Sequence, residues 1–185
     1  MTGNDGTGNI PERDLWETKQ ELFDKLDSQY IFQYDCCADI KNKKCVWYSD
    51  RFETCNLEVK GLMCWMNPPF SKALEMFRHF FKVIPNGVAI YRCDNFETKI
   101  WQEVIFPNAS WVFIPNKRIA YEGMEGSGSR FPSALIGFNV PLIESLVGIT
   151  LKPFGSFNMG DKVSATPTPK EATLPSHHPN ITFSK

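Results

Sequence analysis

Four consecutive residues, Asn67-Pro68-Pro69-Phe70, combine types that suit one reaction. An exocyclic amino group on a nucleobase is a poor nucleophile, because its lone pair is delocalised into the ring. Two acceptors placed around its N–H bonds hold the nitrogen and turn the lone pair toward an electrophile. The Asn67 side-chain oxygen is one such acceptor, and the carbonyl of Pro68 is a second. Pro68 has no N–H of its own to compete. Phe70 offers a flat face for a base, a contact worth about 1–3 kcal/mol. Such a site works by positioning and electrostatics rather than by a strongly shifted pKa.

These residues need elements to hold them. The apolar run 62–66 reads as a buried strand. Pro68 and Pro69 cannot continue it, since neither can donate to a ladder. Ser71 is a plausible N-cap for a helix from about 72 to 83, with Leu74, Phe77, Phe80, Phe81 and Ile84 at helical spacing. The motif therefore falls at the carboxyl end of a strand, where open α/β sheets bind ligands. Read alone, the four residues also fit a rigid strand-to-helix turn with Phe70 in the core.

Two acids extend the pattern. Residues 30–35 read as a strand ending on Asp35, followed by the small residues Cys36, Cys37 and Ala38 and then Asp39. Small side chains there allow a ligand to approach the backbone. An acid at the strand tip can bind an ammonium group or ribose hydroxyls; it can equally cap a helix. Residues 45–48 read as a second short strand, followed by Ser49 and Asp50. Asp50 stands where nucleotide folds place a ribose-binding acid. Upstream, Thr18 and Glu21 form a capping-box pattern ahead of Leu22, Phe23 and Leu26. Trp16, just before that helix, reads on its own as a core anchor.

Downstream, Pro85-Asn86-Gly87 reads as a turn and 88–91 as a strand. Asp94 and Glu97 make another capping box, opening a helix with Phe96, Ile100, Trp101, Val104 and Ile105 on one side and Pro107-Asn108 at its end. Residues 111–114 form a strand, Pro115-Asn116 a turn, and 117–121 and 133–138 two further strands. The Gly-rich stretch 122–130 reads as a flexible loop, without the Gly-Lys-Ser/Thr ending of a phosphate-binding loop. Strands alternating with helices predict an α/β sheet, with antiparallel strands at one edge from Trp111 through Phe138.

The 185 residues suffice for one domain and a tail. Residues 1–13 are polar and Gly-rich and are expected to be disordered; 14–150 form the domain; 151–185 are a Pro/Ser/Thr-rich extended tail. A net charge of −1 gives no global basic signature for nucleic acid, so DNA binding would need a local patch. Cys36, Cys37, Cys45, Cys55, Cys64 and Cys93 form no Cys-x-x-Cys pair and have no histidine nearby in sequence. They read as buried, reduced thiols rather than metal ligands. The Gly/Asn/Thr-rich start predicts no signal peptide, and no apolar run reaches membrane-spanning length, because 133–151 is broken by Asn139, Pro141 and Glu144. A cytoplasmic protein is expected.

With its blocks in order, the stretch 14–140 resembles the phage-type DNA N6-adenine methyltransferase family. The resemblance covers about two-thirds of the chain. It rests on Trp16-Glu17-Thr18, Asp35-Cys36-Cys37-Ala38, Asn67-Pro68-Pro69-Phe70-Ser71, Lys117-Arg118-Ile119 and Phe131-Pro132-Ser133-Ala134-Leu135. It implies a Rossmann-like class I methyltransferase sheet with flanking helices. It also implies S-adenosylmethionine as donor, the N6 amino group of adenine in double-stranded DNA as acceptor, and no metal. Carried over by residue, Asn67, Pro68, Pro69 and Phe70 would be catalytic and hold a flipped adenine. Trp16, Thr18, Asp35, Ala38, Asp50 and Asn67 would line the cofactor pocket, and Arg118, Arg130 and Ser133 would lie near DNA. If phage-encoded, the protein would work in the cytoplasm of the bacterial host.

The chain departs from the family pattern at Lys19, where proline is usual, and at Cys36 and Cys37, where alanines are. Cys55-Asn56-Leu57 stands where an acid-Gly-Leu block is expected, and no Gly-x-Gly follows the first strand. These changes bear on the cofactor more than on the target. Two rival readings remain beside the first. One is the same fold acting on cytosine N4, RNA or a protein amide; the other is a non-catalytic DNA-binding protein that keeps the fold.

Overall fold

The architecture is organised around a mixed seven-stranded sheet with helices packed on it. A computed structural model describes residues 14–54, 61–122 and 131–151, all within the unit Met1–Gly155. The second unit, Ser156–Lys185, lies outside the described residues, as do the expected disordered start, the Gly-rich loop from 123 to 130, Cys55-Asn56-Leu57 and the tail beyond Leu151.

In chain order the elements are β1 (Glu17–Thr18), α1 (Gln20–Tyr30), β2 (Tyr34–Asp35), β3 (Trp47–Tyr48), β4 (Met63–Met66), α2 (Ala73–Val83), β5 (Asn86–Arg92), α3 (Ile100–Ile105, continued by Phe106–Asn108), β6 (Trp111–Pro115), β7 (Tyr121–Glu122), β8 (Ser133–Phe138) and β9 (Gly148–Leu151). The sheet order is β3-β2-β4-β5-β8-β6-β9. The first four strands are parallel, and the joints β5–β8, β8–β6 and β6–β9 are antiparallel. The expected α/β sheet with antiparallel strands at one edge is therefore present. β1 and β7 form a separate two-stranded ladder.

Strand alternation divides the core into two layers. Cys64 and Met66 of β4, Ala89 of β5, Val112 of β6 and Ile136 of β8 face one side, under α2 and α3. Trp65, Val88, Ile90, Phe113 and Leu135 face the other, with Phe23 and Leu26 of α1. On α2, Met76, Phe77 and Phe80 are buried, each aromatic contributing about 1.5–3 kcal/mol by the area it removes from water. Among the described residues no helix is long and apolar enough to cross a membrane.

Several local expectations are corrected. Thr18 does not cap α1: it lies in β1, and α1 starts behind Lys19 without a side-chain cap. The strand expected over 30–35 is reduced to Tyr34–Asp35, because Tyr30 completes α1 and Ile31 turns left-handed at φ 56°. Asp27 closes that turn, its carbonyl accepting from the Ile31 N–H and its carboxylate from the Phe32 N–H. Asn86 and Gly87 are in β5, opposite Met63 and Cys64, rather than in a turn. Gly87 is there for close approach: a Cβ would lie 2.7 Å from the Cys64 carbonyl oxygen and 2.9 Å from the Phe80 ring. Asp94 caps no helix; it is held by the Arg92 guanidinium. Helical winding begins later, at Ile100, and is wide enough for the Phe106 N–H to reach the Trp101 carbonyl. Pro115 belongs to β6, and of 117–121 only Tyr121 enters a ladder. β1 and β9 were not anticipated, and Leu151, assigned to the tail, closes β9.

Candidate active site

A cleft of about 260 Å³ opens at the carboxyl ends of β2, β3 and β4. The chain runs from β2 outward to β3, then returns to the other side of β2 as β4. The strand order thus reverses at β2 and β4, which is where an open α/β sheet forms a crevice. Five acids line the cleft (Asp14, Glu17, Asp35, Asp39 and Asp50) against two lysines, Lys44 and Lys72. That excess of negative charge suits a cationic or zwitterionic ligand and disfavours a polyphosphate.

Asp35 ends β2 on the cleft floor and is only 3% exposed. Its carboxylate accepts from the Lys44 N–H at 3.0 Å and from the Cys37 N–H at 3.3 Å. A carboxylate has about four acceptor positions, so two remain. Burial raises its pKa to about 6, against the smaller opposing pull of those two amides and the Lys44 charge. Asp50 lies two residues beyond β3 on the same cleft, at its exposed rim. Ala38 is buried against it, its N–H donating to the Ser49 carbonyl.

Thr18 is 2% exposed, lines the cleft, and its hydroxyl has no hydrogen-bond partner among the described residues. A buried hydroxyl left unpaired costs about 1–3 kcal/mol, so a ligand that bonds it gains correspondingly. Together with the free positions on Asp35 and the small side chains beside it, the donor and acceptor set fits a small cationic cofactor.

Asn67 follows β4 directly. Its Nδ2 donates to the Trp16 carbonyl at 2.9 Å, which fixes which end of the amide points where. Its Oδ1 makes no hydrogen bond among the described residues, and Asn67 and Pro69 both line the cleft. Pro68 is buried behind it. Contrary to the sequence expectation, Ser71 does not cap α2. A short 3-10 turn, Phe70–Lys72, precedes the helix, and both the N–H and the hydroxyl of Ser71 are taken by the stronger acceptor, the Asp14 carboxylate.

Phe70 packs edge-to-face with Trp16 and Phe131, at 6.1 and 5.4 Å between ring centres, and tilted against Tyr91. Trp16 in turn stacks on Tyr121 and Phe131. The Arg92 guanidinium sits 4.9 Å from the centre of Phe131 and 6.0 Å from that of Phe70. The motif thus ends in an aromatic nest beside the cleft. Trp16 borders both, so it is neither a core anchor alone nor a ligand contact alone.

Cys36, Cys37, Cys45, Cys64 and Cys93 are free thiols. Burial pushes the Cys36 and Cys37 thiols well up, with Cys64 adding to the effect on Cys36 and Asp35 to that on Cys37. They stay protonated near neutral pH and act as small apolar side chains beneath the cleft. Among the described residues no three His, Cys, Asp or Glu side chains converge as metal ligands.

The structure brings Trp16, Thr18, Asp35, Ala38, Asp50 and Asn67 to one cleft. Of the three residues expected near DNA, it describes two. Arg118 is exposed in the β6–β7 connection, Arg130 lies outside the described residues, and Ser133 is 2% exposed with its hydroxyl 2.8 Å from that of Tyr121. Ser133 has no surface to offer a DNA strand here. Sequence reasoning missed Asp14, whose partner Ser71 is 57 positions away; no local pattern reports such a pair.

The profile of a family described as DNA N-6-adenine-methyltransferase (Dam) matches residues 6–130. The chain is also similar to the DNA N-6-adenine-methyltransferase of Haemophilus phage HP1 (strain HP1c1), with 24% identity over 137 residues, covering 69% of this chain and 79% of the phage protein. The family match spans every residue brought to the cleft.

Proposed function

The chain belongs to the DNA N-6-adenine-methyltransferase family, and from that premise we propose that its acidic cleft holds S-adenosylmethionine beside an Asn67-centred pocket for the target base. The chemistry is methyl transfer to the N6 amino group of adenine in DNA. The reversal of strand order at β2 and β4, the parallel strands from β3 to β5 and the antiparallel edge support the finer reading, a Rossmann-like class I methyltransferase sheet.

S-adenosylmethionine, when bound, supplies an electrophilic methyl on a positively charged sulfonium. The residues that would hold it are Asp35 and Thr18 on the floor, Trp16 and Ala38 on the walls, and Asp50 at the rim. Asp35 and the surrounding acids would favour its ammonium and sulfonium charges, while Asp50 would accept from its ribose hydroxyls. The target adenine must leave the stack to reach the cleft, at a cost of a few kcal/mol. Asn67 Oδ1 and the Pro68 carbonyl accept from its amino group and orient the lone pair toward the cleft. Phe70 and the rings around it supply the apolar wall. Double-stranded DNA would be gripped through its phosphates by basic residues, with Arg118 and Arg130 as the candidates.

The orientation of Asn67 carries this reading: its donor end is fixed by the Trp16 carbonyl, and its acceptor end makes no hydrogen bond among the described residues. Asn67→Ala is expected to lower methyl transfer by at least about 100-fold, the effect of losing one preorganised polar group. Calorimetric affinity for S-adenosylmethionine should stay within about threefold of wild type, because Asp35, Thr18 and Asp50 are untouched. A variant with wild-type turnover contradicts the assignment.

A further inference from the structure

Residues 14–18 cross the motif turn and are tied down at both ends. At one end the Asp14 carboxylate accepts from the Ser71 N–H at 2.9 Å and from the Ser71 hydroxyl. At the other, Glu17 and Thr18 pair antiparallel with Glu122 and Tyr121, and the Tyr121 hydroxyl is bonded to that of Ser133. Between these ends the Trp16 carbonyl takes the Asn67 Nδ2–H, and the Trp16 ring stacks on Tyr121 and Phe131. The same five residues form one wall of the cleft.

We propose that residues 14–18 are a strap that sets the orientation of the Asn67 amide, with Asp14 as the positioning residue that holds strap and motif turn together. This rests on Asn67 being the acceptor of the target amino group. The two ends of a side-chain amide are nearly identical in shape, so packing alone does not choose between its two orientations. Reversed, Asn67 would present its NH2 to another NH2, and no hydrogen bond would form. The Trp16 carbonyl is the neighbour that tells the two apart. A main-chain carbonyl chooses only while its own segment is fixed, and Asp14 fixes that segment to Ser71, four residues past Asn67. Because the strap also walls the cleft, loosening it should reach the cofactor as well as the catalytic amide. The strap carries no Lys or Arg to grip a phosphate, so DNA affinity should be spared.

The test compares wild type, Asp14→Ala and Asp14→Asn by steady-state methyl transfer, calorimetric S-adenosylmethionine binding, DNA affinity without cofactor, and melting temperature. In Asp14→Ala, kcat is expected to fall about 10- to 100-fold, the scale of a lost charge-assisted bond. Cofactor binding should weaken, while DNA affinity and KM for DNA stay within about twofold. Asp14→Asn should recover most of kcat, since its amide oxygen still accepts from the Ser71 N–H. A folded Asp14→Ala with wild-type kcat and cofactor affinity overturns the strap. So does equal damage in both variants that extends to DNA affinity and melting temperature. Should Asp14→Ala not fold, Ser71→Ala removes only the hydroxyl donor; it is expected to show the same split at several-fold size, and no split overturns the proposal. Absence of transfer by the wild type would instead sink the functional reading; an active wild type with an indifferent Asp14→Ala sinks the strap alone.

Discussion

On the proposed reading Asn67 and Asp35 act through different physics. Asn67 is neutral and works by where its oxygen points, so it should be insensitive to pH. Asp35 is an ionisable group kept from water, and burial raises its pKa from 3.8 to about 6. The sign of the consequence follows. A raised folded-state pKa means that the stability tied to the protonated form is fully present below about 4 and is lost as pH rises through about 6. At neutral pH the empty cleft therefore carries a buried charge at a cost on the order of 3 kcal/mol, and a cationic ligand offsets it. S-adenosylmethionine affinity is expected to level off near pH 7 and to fall by up to about tenfold per pH unit below 6, as Asp35 takes a proton. Asp35→Asn should bind more weakly at pH 7.5 and lose that pH dependence; calorimetry across pH 5 to 8 measures both, and a profile shared by wild type and variant removes Asp35 from the site. The types and spacing of Asn67, Asp35 and Asp50 marked them as candidates in the sequence, and the structure brings all three to one cleft. Asp14 was not legible, because its role exists only through Ser71, which the fold brings from 57 positions away.

The elements that hold these residues are short, and their precision comes from packing. β4 is four residues long, but it sits between β2 and β5 with α2 across one face. Gly87 lets the β4 backbone and the Phe80 ring come that close. Gly87→Ala would drive a methyl into the Cys64 carbonyl, a backbone atom with no room to move, three positions before Asn67. A loss of about 3 kcal/mol is expected, together with reduced turnover, both read by denaturant melts and methyl-transfer assays; an unchanged melt contradicts this packing. β4 and α2 were readable because an apolar run, a Pro-Pro stop and a helical stripe agree with one another. β2 was misjudged in length because Tyr30 and Phe32 are as apolar as strand residues. Helix-end geometry at Ile31 and Asp27 decides the matter, and no periodicity reports it. β1, at two residues, is too short for any pattern to register, and of the strand expected over 117–121 only Tyr121 pairs.

Over the whole chain, a net charge of −1 conceals an uneven distribution. Five acids against two lysines gather at the carboxyl ends of three parallel strands, so the cleft is more acidic than the composition implies. This accounts for a protein of a DNA-modifying family whose overall charge gives no hint of DNA. On the proposed reading the negative charge serves a cationic methyl donor, and the basic contacts to phosphate are local. The sheet puts the cleft and the Asn67 turn side by side, while the strap from 14 to 18 joins them. The most direct test is transfer of label from methyl-labelled S-adenosylmethionine to unmethylated double-stranded DNA, followed by digestion to nucleosides. The account predicts label in N6-methyladenine, lost in Asn67→Ala. Label in N4-methylcytosine would contradict the target assignment. No transfer, with no calorimetric binding of S-adenosylmethionine, would contradict the catalytic reading as a whole.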